Sequence, residues 1–155
     1  MAGELLAELK QTKPYGSIRQ EAYVAMLRTA AVLAHAFEET LKPFGLTGTQ
    51  FNVLRILRGA GPDGLCRHEV SDRMVTPVPD VTRLLDRLEQ AGLITRHRGV
   101  ADRRHMTTRI TEKGLKLLAR AEQPVVRAHD EMLGHLGDRE VATLVSLLAK
   151  ARRTA

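Results

Sequence analysis

The sequence predicts a mainly helical fold with one small β-hairpin. Several stretches begin with a capping residue and then carry an apolar residue every three to four positions, which is the period of a helix. Only 3% of the residues are aromatic, and the apolar ones are mostly Leu, Val and Ala, a mix that favours helices. Two short segments, rich in Thr, Ile or alternating long side chains, flank a turn at residues 99–103, and this arrangement predicts the hairpin.

The N-terminal part predicts a short helix followed by a long one. Residues 3–11 have the spacing of a short amphipathic helix. Ser17 and Gln20 have the spacing of a capping box, in which the Ser side chain caps the first turn and the Gln side chain bonds back to the backbone. The apolar period that follows predicts a long helix, and Pro43 ends it.

Two further helices are predicted in the middle of the chain. Thr47 and Gln50 form a second capping box and open a helix with an apolar face. Residues 59–64 contain Gly and Pro and predict a loop. A short helix is expected at residues 66–74.

The next segment predicts a helix and then the hairpin. The Thr-Pro-Val-Pro run at residues 76–79 suits a turn or the first positions of a helix, because proline is not tolerated in the interior. The helix is expected to reach Ala91, with Gly92 as its C-terminal cap. Strands are predicted at residues 93–98 and 104–110.

The C-terminal part predicts two helices. Thr111 caps a long helix, and Pro124 inside it predicts a kink because an interior proline loses a backbone hydrogen bond. Asp138 is expected to cap the last helix.

Length and charge narrow the class of protein. A chain of 155 residues is long enough to bury a core without disulfides, and the lone Cys66 excludes an internal one and fits a reducing compartment. No stretch reaches the roughly 18 apolar residues that a membrane span needs, so we expect a cytoplasmic protein without a membrane partner. The net charge of +6 makes an acidic partner plausible, although a merely soluble basic protein has the same charge.

Two short helices, a turn and a basic hairpin follow the order of a winged helix-turn-helix, whose second helix reads the major groove. In the helix that starts near residue 80, Leu and Val take one side. The side chains left to face outward are those of Asp80, Thr82, Arg83 and Arg87. Thr offers a hydroxyl, and Arg offers a fork that matches guanine or two phosphate oxygens. The alternative is an ordinary solvated face with Asp–Arg pairs.

The predicted hairpin favours the nucleic-acid interpretation. It contains one acidic residue, Asp102, and seven basic residues: Arg96, His97, Arg98, Arg103, Arg104, His105 and Arg109. Like charges on adjacent strands repel, so an uncompensated cluster indicates phosphate partners. An arginine at the hairpin tip can also enter a narrow minor groove, where the potential is most negative.

The stretches DVTRLLDRLEQAGLI and ADRRHMTTRITEKG resemble the core of the MarR family, and the flanking long helices extend the resemblance over nearly the whole chain. The resemblance implies a homodimer whose terminal helices intertwine and whose two winged regions bind a pseudo-palindromic operator in double-stranded DNA. It also implies that Arg104 enters the minor groove, that Asp102 orients it and that Arg103 meets a phosphate.

The same resemblance divides the chain into two regions of one intertwined domain. Residues 1–46 and 112–155 would form the helical dimerisation region, and residues 47–111 the winged helix-turn-helix. The prolines at residues 77 and 79 depart from the family pattern and remove backbone donors for phosphate. Val78 between them would instead touch a thymine methyl.

The resemblance further implies a repressor that a small phenolic or carboxylate effector releases. Arg28 and His35 on the first long helix are candidate lining residues, although a surface or satisfied core histidine is the commoner case. Cys66 is either a redox site or a small half-buried cap residue.

Other classes of function have less support in the sequence. No nucleophile elbow, phosphate loop or dinucleotide fingerprint occurs, and two helical histidines lack metal-ligand spacing, so no enzyme activity, cofactor or metal is expected. The alternative function is a helical protein-interaction adaptor, which has no need of a basic hairpin.

Overall fold

The computed structural model describes residues 3–98 and 106–153, with Arg98 described by its backbone alone. The fold is mainly helical with a small antiparallel sheet, which confirms the predicted class. The α-helices of the described residues are α1 (Glu4–Glu8), α2 (Ile18–Leu41), α3 (Gly48–Ala60), α4 (Arg67–Arg73), α5 (Val81–Gln90), α6 (Glu112–Leu133) and α7 (Asp138–Ala151), and short 3-10 helices follow α2 at Lys42–Phe44 and α3 at Gly61–Asp63. The strands are β1 (Leu65–Cys66), β2 (Ile94–Arg98) and β3 (Met106–Ile110).

The chain divides into two compact units, residues 1–36 and 37–155. In the first unit, Arg28 Nε donates a hydrogen bond of 2.6 Å to a carboxylate oxygen of Glu8, which ties α1 to α2. Ser17 Oγ accepts from the backbone N–H of Gln20 at 3.2 Å, so the predicted helix start is confirmed. The Gln20 side chain bonds back to Gly16 N, at 2.7 Å, one residue earlier than a capping box requires.

The second unit holds the core. The predicted capping box of α3 is confirmed, because Thr47 Oγ1 accepts from Gln50 N at 3.2 Å and Gln50 Oε1 accepts from Thr47 N at 3.0 Å. The apolar side chains of α3, α4, α5, β2 and α6 meet in one cluster that includes Leu54, Leu57, Val70, Leu85, Leu88, Ile94 and Leu118. Burial of these side chains is the main force that fixes α5 on its neighbours.

The sheet has the order β1-β3-β2, with both pairs antiparallel. Its two longer strands are the predicted hairpin strands, paired from Ile94 with Ile110 onward. The sequence missed β1: residue 66 was expected in a helix, but Leu65 and Cys66 pair with Thr108 and Thr107. A strand of two residues has no period to detect, so only tertiary pairing reveals it.

The C-terminal helices begin differently from each other. Thr111 Oγ1 accepts from Gly114 N at 3.1 Å, which confirms the predicted cap of α6. That helix continues through Pro124 as one element, and a kink there stays a prediction. The predicted cap of α7 is wrong, because Asp138 is already helical and Gly137 takes the cap position, where its N–H donates to Glu140 at 2.8 Å. Among the described residues, no helix is long and apolar enough to span a membrane.

Candidate nucleic-acid interface

The outer face of α5, defined by Thr82, Arg83 and Arg87, is built by the burial of the opposite side. Val81, Leu85 and Leu88 are buried in the core, so the helix can rotate little about its axis. The three outer residues are all exposed, as the helical period predicts. Within the described part of the chain, neither arginine of this face forms an ion pair, so both guanidinium groups can bind an anion from outside.

Asp80 has a structural task at the start of α5. Its Oδ1 accepts a hydrogen bond of 2.9 Å from Arg83 N and thereby caps the helix. The residue is exposed, and its predicted contact with DNA stays a prediction. The cap also fixes the backbone of Arg83, which is one of the three residues of the outer face.

The turn before α5 is held by a contact that the sequence did not predict. Val75 N donates a 2.9 Å hydrogen bond to Asn52 Oδ1 of α3, while the Val75 side chain is 85% exposed. Val78 is half-buried and packs against the core. The core therefore covers part of the Val78 side chain, and the contact of this residue with a thymine methyl stays a prediction. The sequence offered one sign of this contact: Asn52 is a polar residue between the apolar Phe51 and Val53, and a polar side chain at the edge of a core usually needs a hydrogen-bond partner.

Arg96 of β2 does not belong to an uncompensated cationic cluster, and that part of the sequence interpretation is wrong. Its Nη2 lies 2.5 Å from Asp86 Oδ1 and 2.6 Å from Glu89 Oε2, and its Nε lies 2.9 Å from Glu89 Oε2. The hydrogen bonds from Arg96 hold the pKa of Glu89 below its ordinary value, and those to Glu89 raise the pKa of Arg96. Asp86 and Glu89 belong to α5 and not to the hairpin, so counting charges along the hairpin sequence could not show that they neutralise Arg96.

The remaining hairpin residues fall into two groups. His97 and Arg109 are exposed, and Arg109 Nε donates at 3.5 Å to the backbone oxygen of Asp63. The side chain of Arg98 and the predicted tip residues lie outside the described residues; the tip residues are Asp102, Arg103 and Arg104, with His105 beside them. Their roles therefore stay predictions.

Helix α4 adds cations that the sequence analysis did not single out. Arg67, His68 and Arg73 are all exposed on this helix, which precedes α5 as the first helix of the helix-turn-helix. In that motif the first helix crosses the DNA backbone, so exposed cations there are suited to phosphate. Residues 66–74 show no net basic signal in the sequence, because Glu69 and Asp72, which are also exposed, balance the two arginines.

A cavity of about 250 Å³ lies between α3 and α6. Its apolar lining is Phe51, Leu118, Val125 and Val126, and its polar lining is Arg55, Arg58, Glu122 and His129. Arg58 Nη1 lies 3.6 Å from Glu122 Oε1, and the His129 ring stacks on Phe37 with centroids 5.8 Å apart. The lining therefore combines apolar side chains with two arginines, one of which is paired with Glu122, and such a mixture suits a small ring that carries an acid.

The lining of this cavity is a different set from Arg28 and His35, the pair that the sequence suggested. Arg28 is engaged with Glu8, and His35 is exposed. Their role in ligand binding stays a prediction. Cys66 is half-buried in β1, where its N–H donates to Glu69 at 2.7 Å. The hydrogen bonds from Cys66, with the backbone one the larger cause, lower the pKa of Glu69.

Comparison with known proteins places this geometry in a family. The model of the MarR family matches residues 44–105. The fold is similar to a MarR transcription factor from Planctomyces limnophilus, with a TM-score of 0.69, 38% identity and coverage of 87% of this chain and 98% of that one.

Two similar structures contain DNA. A mutant MarR from E. coli in complex with operator DNA has a TM-score of 0.75 and 27% identity, covering 96% of this chain and 98% of that one. The transcriptional repressor CouR bound to a DNA duplex has a TM-score of 0.74 and 29% identity, covering 99% of both chains. The match of the family model and the 38% identity over nearly the whole of the Planctomyces protein lead to one conclusion: this chain belongs to the MarR family of transcription regulators.

Proposed function

We propose that this chain is a non-catalytic repressor that acts in the cytoplasm and binds a pseudo-palindromic operator in double-stranded DNA as a homodimer. In this proposal residues 47–111 bind DNA, and residues 1–46 and 112–155 form the dimer. The outer face of α5 enters the major groove, and the hairpin with Arg98 to Arg104 lies along the adjacent groove.

The observation that carries the proposal is the outer face of α5. Thr82, Arg83 and Arg87 are exposed on a helix whose other side is locked in the core. Neither arginine has a carboxylate partner among the residues that the structure describes. A hydroxyl and two guanidinium forks of this kind match the edges of bases and the oxygens of phosphates rather than an apolar partner. The similarity to CouR and to MarR, each bound to DNA, supports this use of the helix.

The salt dependence of binding tests the proposal. The probe is the duplex that the wild-type chain selects from a random-sequence pool, and a scrambled duplex is the reference. Arg87→Ala should reduce the slope of log K against log salt by about two units for the dimer, one for each protomer, because each phosphate contact releases a condensed counterion. Arg120→Ala on α6 removes the same charge from an exposed site elsewhere and should leave the slope unchanged.

Failure of the wild-type chain to select any duplex would contradict the proposal and favour the helical adaptor. Equal slopes for wild type and Arg87→Ala, with selection intact, would remove Arg87 from the interface and leave DNA binding to the other residues.

Exposed apolar side chains support the homodimer. On α2 they include Ile18, Tyr23, Leu27 and Val32, and on α7 they include Leu144, Val145 and Leu147. Large apolar surfaces of this kind are usually buried in a contact between chains. Light scattering should report twice the chain mass, and Val145→Asp should shift the equilibrium towards the monomer. A wild-type monomer at micromolar concentration with intact helix content would contradict this part of the proposal.

The cavity between α3 and α6 is the proposed site of an effector. Arg55 would bind a carboxylate, with Arg58 beside it in its pair with Glu122. Phe51 and Val126 would contact a single ring. We propose that this effector, a small phenolic or carboxylate compound, releases the protein from DNA.

Titration calorimetry with benzoate and with phenol separates the two chemistries. Benzoate should bind the wild-type chain and bind Arg55→Ala more weakly, because the variant lacks one of the two cations. Phenol should be affected less. Identical benzoate affinity in both proteins would remove Arg55 from the site, and Arg120→Ala provides the control for lost charge.

A further inference from the structure

Arg96 occupies the junction between α5 and the wing, which is the hairpin formed by β2 and β3. Its side chain is only 18% exposed, although arginine is normally solvated. Besides the three guanidinium contacts with Asp86 and Glu89, its backbone N–H donates to Glu89 Oε1 at 3.0 Å. The strand is therefore bonded to the helix through both the main chain and the side chain of one residue.

The two acids stand on one flank of α5. Asp86 and Glu89 are three residues apart, which places them as neighbours on the helix surface, and Thr82 lies one turn before Asp86. A guanidinium fork that bonds both carboxylates fixes the rotation of the helix about its axis more tightly than apolar burial alone, because hydrogen bonds are directional.

The charge of this cluster makes a contact of Arg96 with phosphate unfavourable. Two carboxylates and one guanidinium sum to a net charge of −1. A phosphate would have to displace a carboxylate from an arginine that is already nearly buried. Arg83 and Arg87 remain available nearby, so the chain does not need Arg96 as an anion binder.

We infer that Arg96 is a positioning residue, which sets the rotation of α5 relative to the wing and so determines operator specificity without touching DNA. The inference rests on the proposed function. Recognition groups must be held within about 0.5 Å and 10–20° of the productive geometry, and the Asp86–Arg96–Glu89 cluster is the device that holds Thr82 and Arg83 relative to the hairpin. The depressed pKa of Glu89, caused first by the side-chain hydrogen bond from Arg96, agrees with a charged cluster that persists.

The test compares two duplexes bound by the full chain at one salt concentration. One is the duplex selected by wild type, and the other is the scrambled duplex of equal composition. Arg96→Lys keeps the charge but loses the fork, so affinity for the selected duplex should fall about tenfold or more, within the usual range of coupling between sites. Affinity for the scrambled duplex should change by less than about twofold, because non-specific binding depends on charge.

Arg120→Lys is the matched control, since it makes the same substitution on an exposed arginine of α6. It should change neither affinity. A second variant, Asp86→Asn, leaves the contacts between Arg96 and Glu89 in place and covers the case in which Arg96→Lys folds poorly. It should lower the ratio of the two affinities in the same direction, by a smaller factor.

Three outcomes would overturn the inference. An unchanged ratio in folded Arg96→Lys and in Asp86→Asn removes the positioning role. A parallel fall of both affinities, in step with the folded fraction measured by circular dichroism, shows that Arg96 only stabilises the fold. A wild-type chain without preference for its selected duplex overturns the proposed function itself, which separates that failure from the other two.

Discussion

The outer face of α5 and the junction of α5 with the wing both contain arginines, but the two regions use them differently. Arg83 and Arg87 are exposed and, among the described residues, form no ion pair. Arg96 is nearly buried and bonds two carboxylates. The comparison teaches that a basic segment is not one site: the partners of each arginine decide whether it is open to an anion from outside or holds a neighbouring element in place.

Burial separates the inner side of α5 from its outer face, and Leu85→Ala tests that separation with the largest expected effect. Leu85 is 1% exposed, so its truncation leaves a cavity and should lower the free energy of unfolding by roughly 2–5 kcal/mol. Chemical denaturation measures this. Thr82→Ala on the outer face should leave stability nearly unchanged, and a comparable loss in both variants would mean that α5 has no distinct outer face.

The wing tip extends the comparison to residues outside the described part of the chain. Arg104→Ala should cost about 1–3 kcal/mol of binding to the selected duplex and relax its preference for A·T pairs, because the resemblance places Arg104 in the minor groove. Arg19→Ala, at the first turn of α2, is the control for lost charge and should have little effect. Gel shifts of both variants measure the difference, and equal affinity of Arg104→Ala and wild type would remove the tip from the mechanism.

The pH dependence of stability tests the Asp86–Arg96–Glu89 cluster at the junction, and this is the smallest effect that we expect. The folded pKa of Glu89 is lowered from 4.5, so its contribution to stability is present above that pH and is lost as the pH falls through the folded value. As the pH drops below about 4.5, the free energy of unfolding of Glu89→Gln should therefore fall less than that of wild type, by at most about 1 kcal/mol.

Urea unfolding at each pH gives the two profiles. Glu112→Gln is the control, because Glu112 is an exposed acid whose ion pair is with Lys116, one turn along α6. It should follow the wild-type profile. A Glu89→Gln profile that coincides with both would show that the junction does not depend on the charge of Glu89.

The sequence predicted the elements whose signals are local. The capping boxes, the long apolar periods and the hairpin strands are set by neighbouring residues, and the structure confirms the caps at Thr47 and Thr111. The strand β1 was missed because its two residues are defined only by pairing with Thr107 and Thr108. Gly137 displaced Asp138 as the cap because Glu140 bonds back to its N–H.

In the candidate site, too, the features set by neighbouring residues were predicted and those set by contacts between elements were not. The exposure of Thr82, Arg83 and Arg87 follows from the helical period, which the sequence displays directly. The neutralisation of Arg96 depends on Asp86 and Glu89 approaching from another element, and charge counting along the hairpin cannot detect it. Arg55 and Arg58 were missed for the same reason, because the cavity exists only where α3 packs on α6.

The most direct test of the central claim, that the outer face of α5 reads DNA, is the ratio of selected-duplex to scrambled-duplex affinity in Arg83→Ala. The account predicts a loss of about 1–3 kcal/mol on the selected duplex with an unchanged melting temperature, and a smaller loss on the scrambled duplex. Arg120→Ala, with the same charge, should keep the wild-type ratio. A folded Arg83→Ala protein that binds both duplexes as wild type does would contradict the account and transfer specificity to the wing.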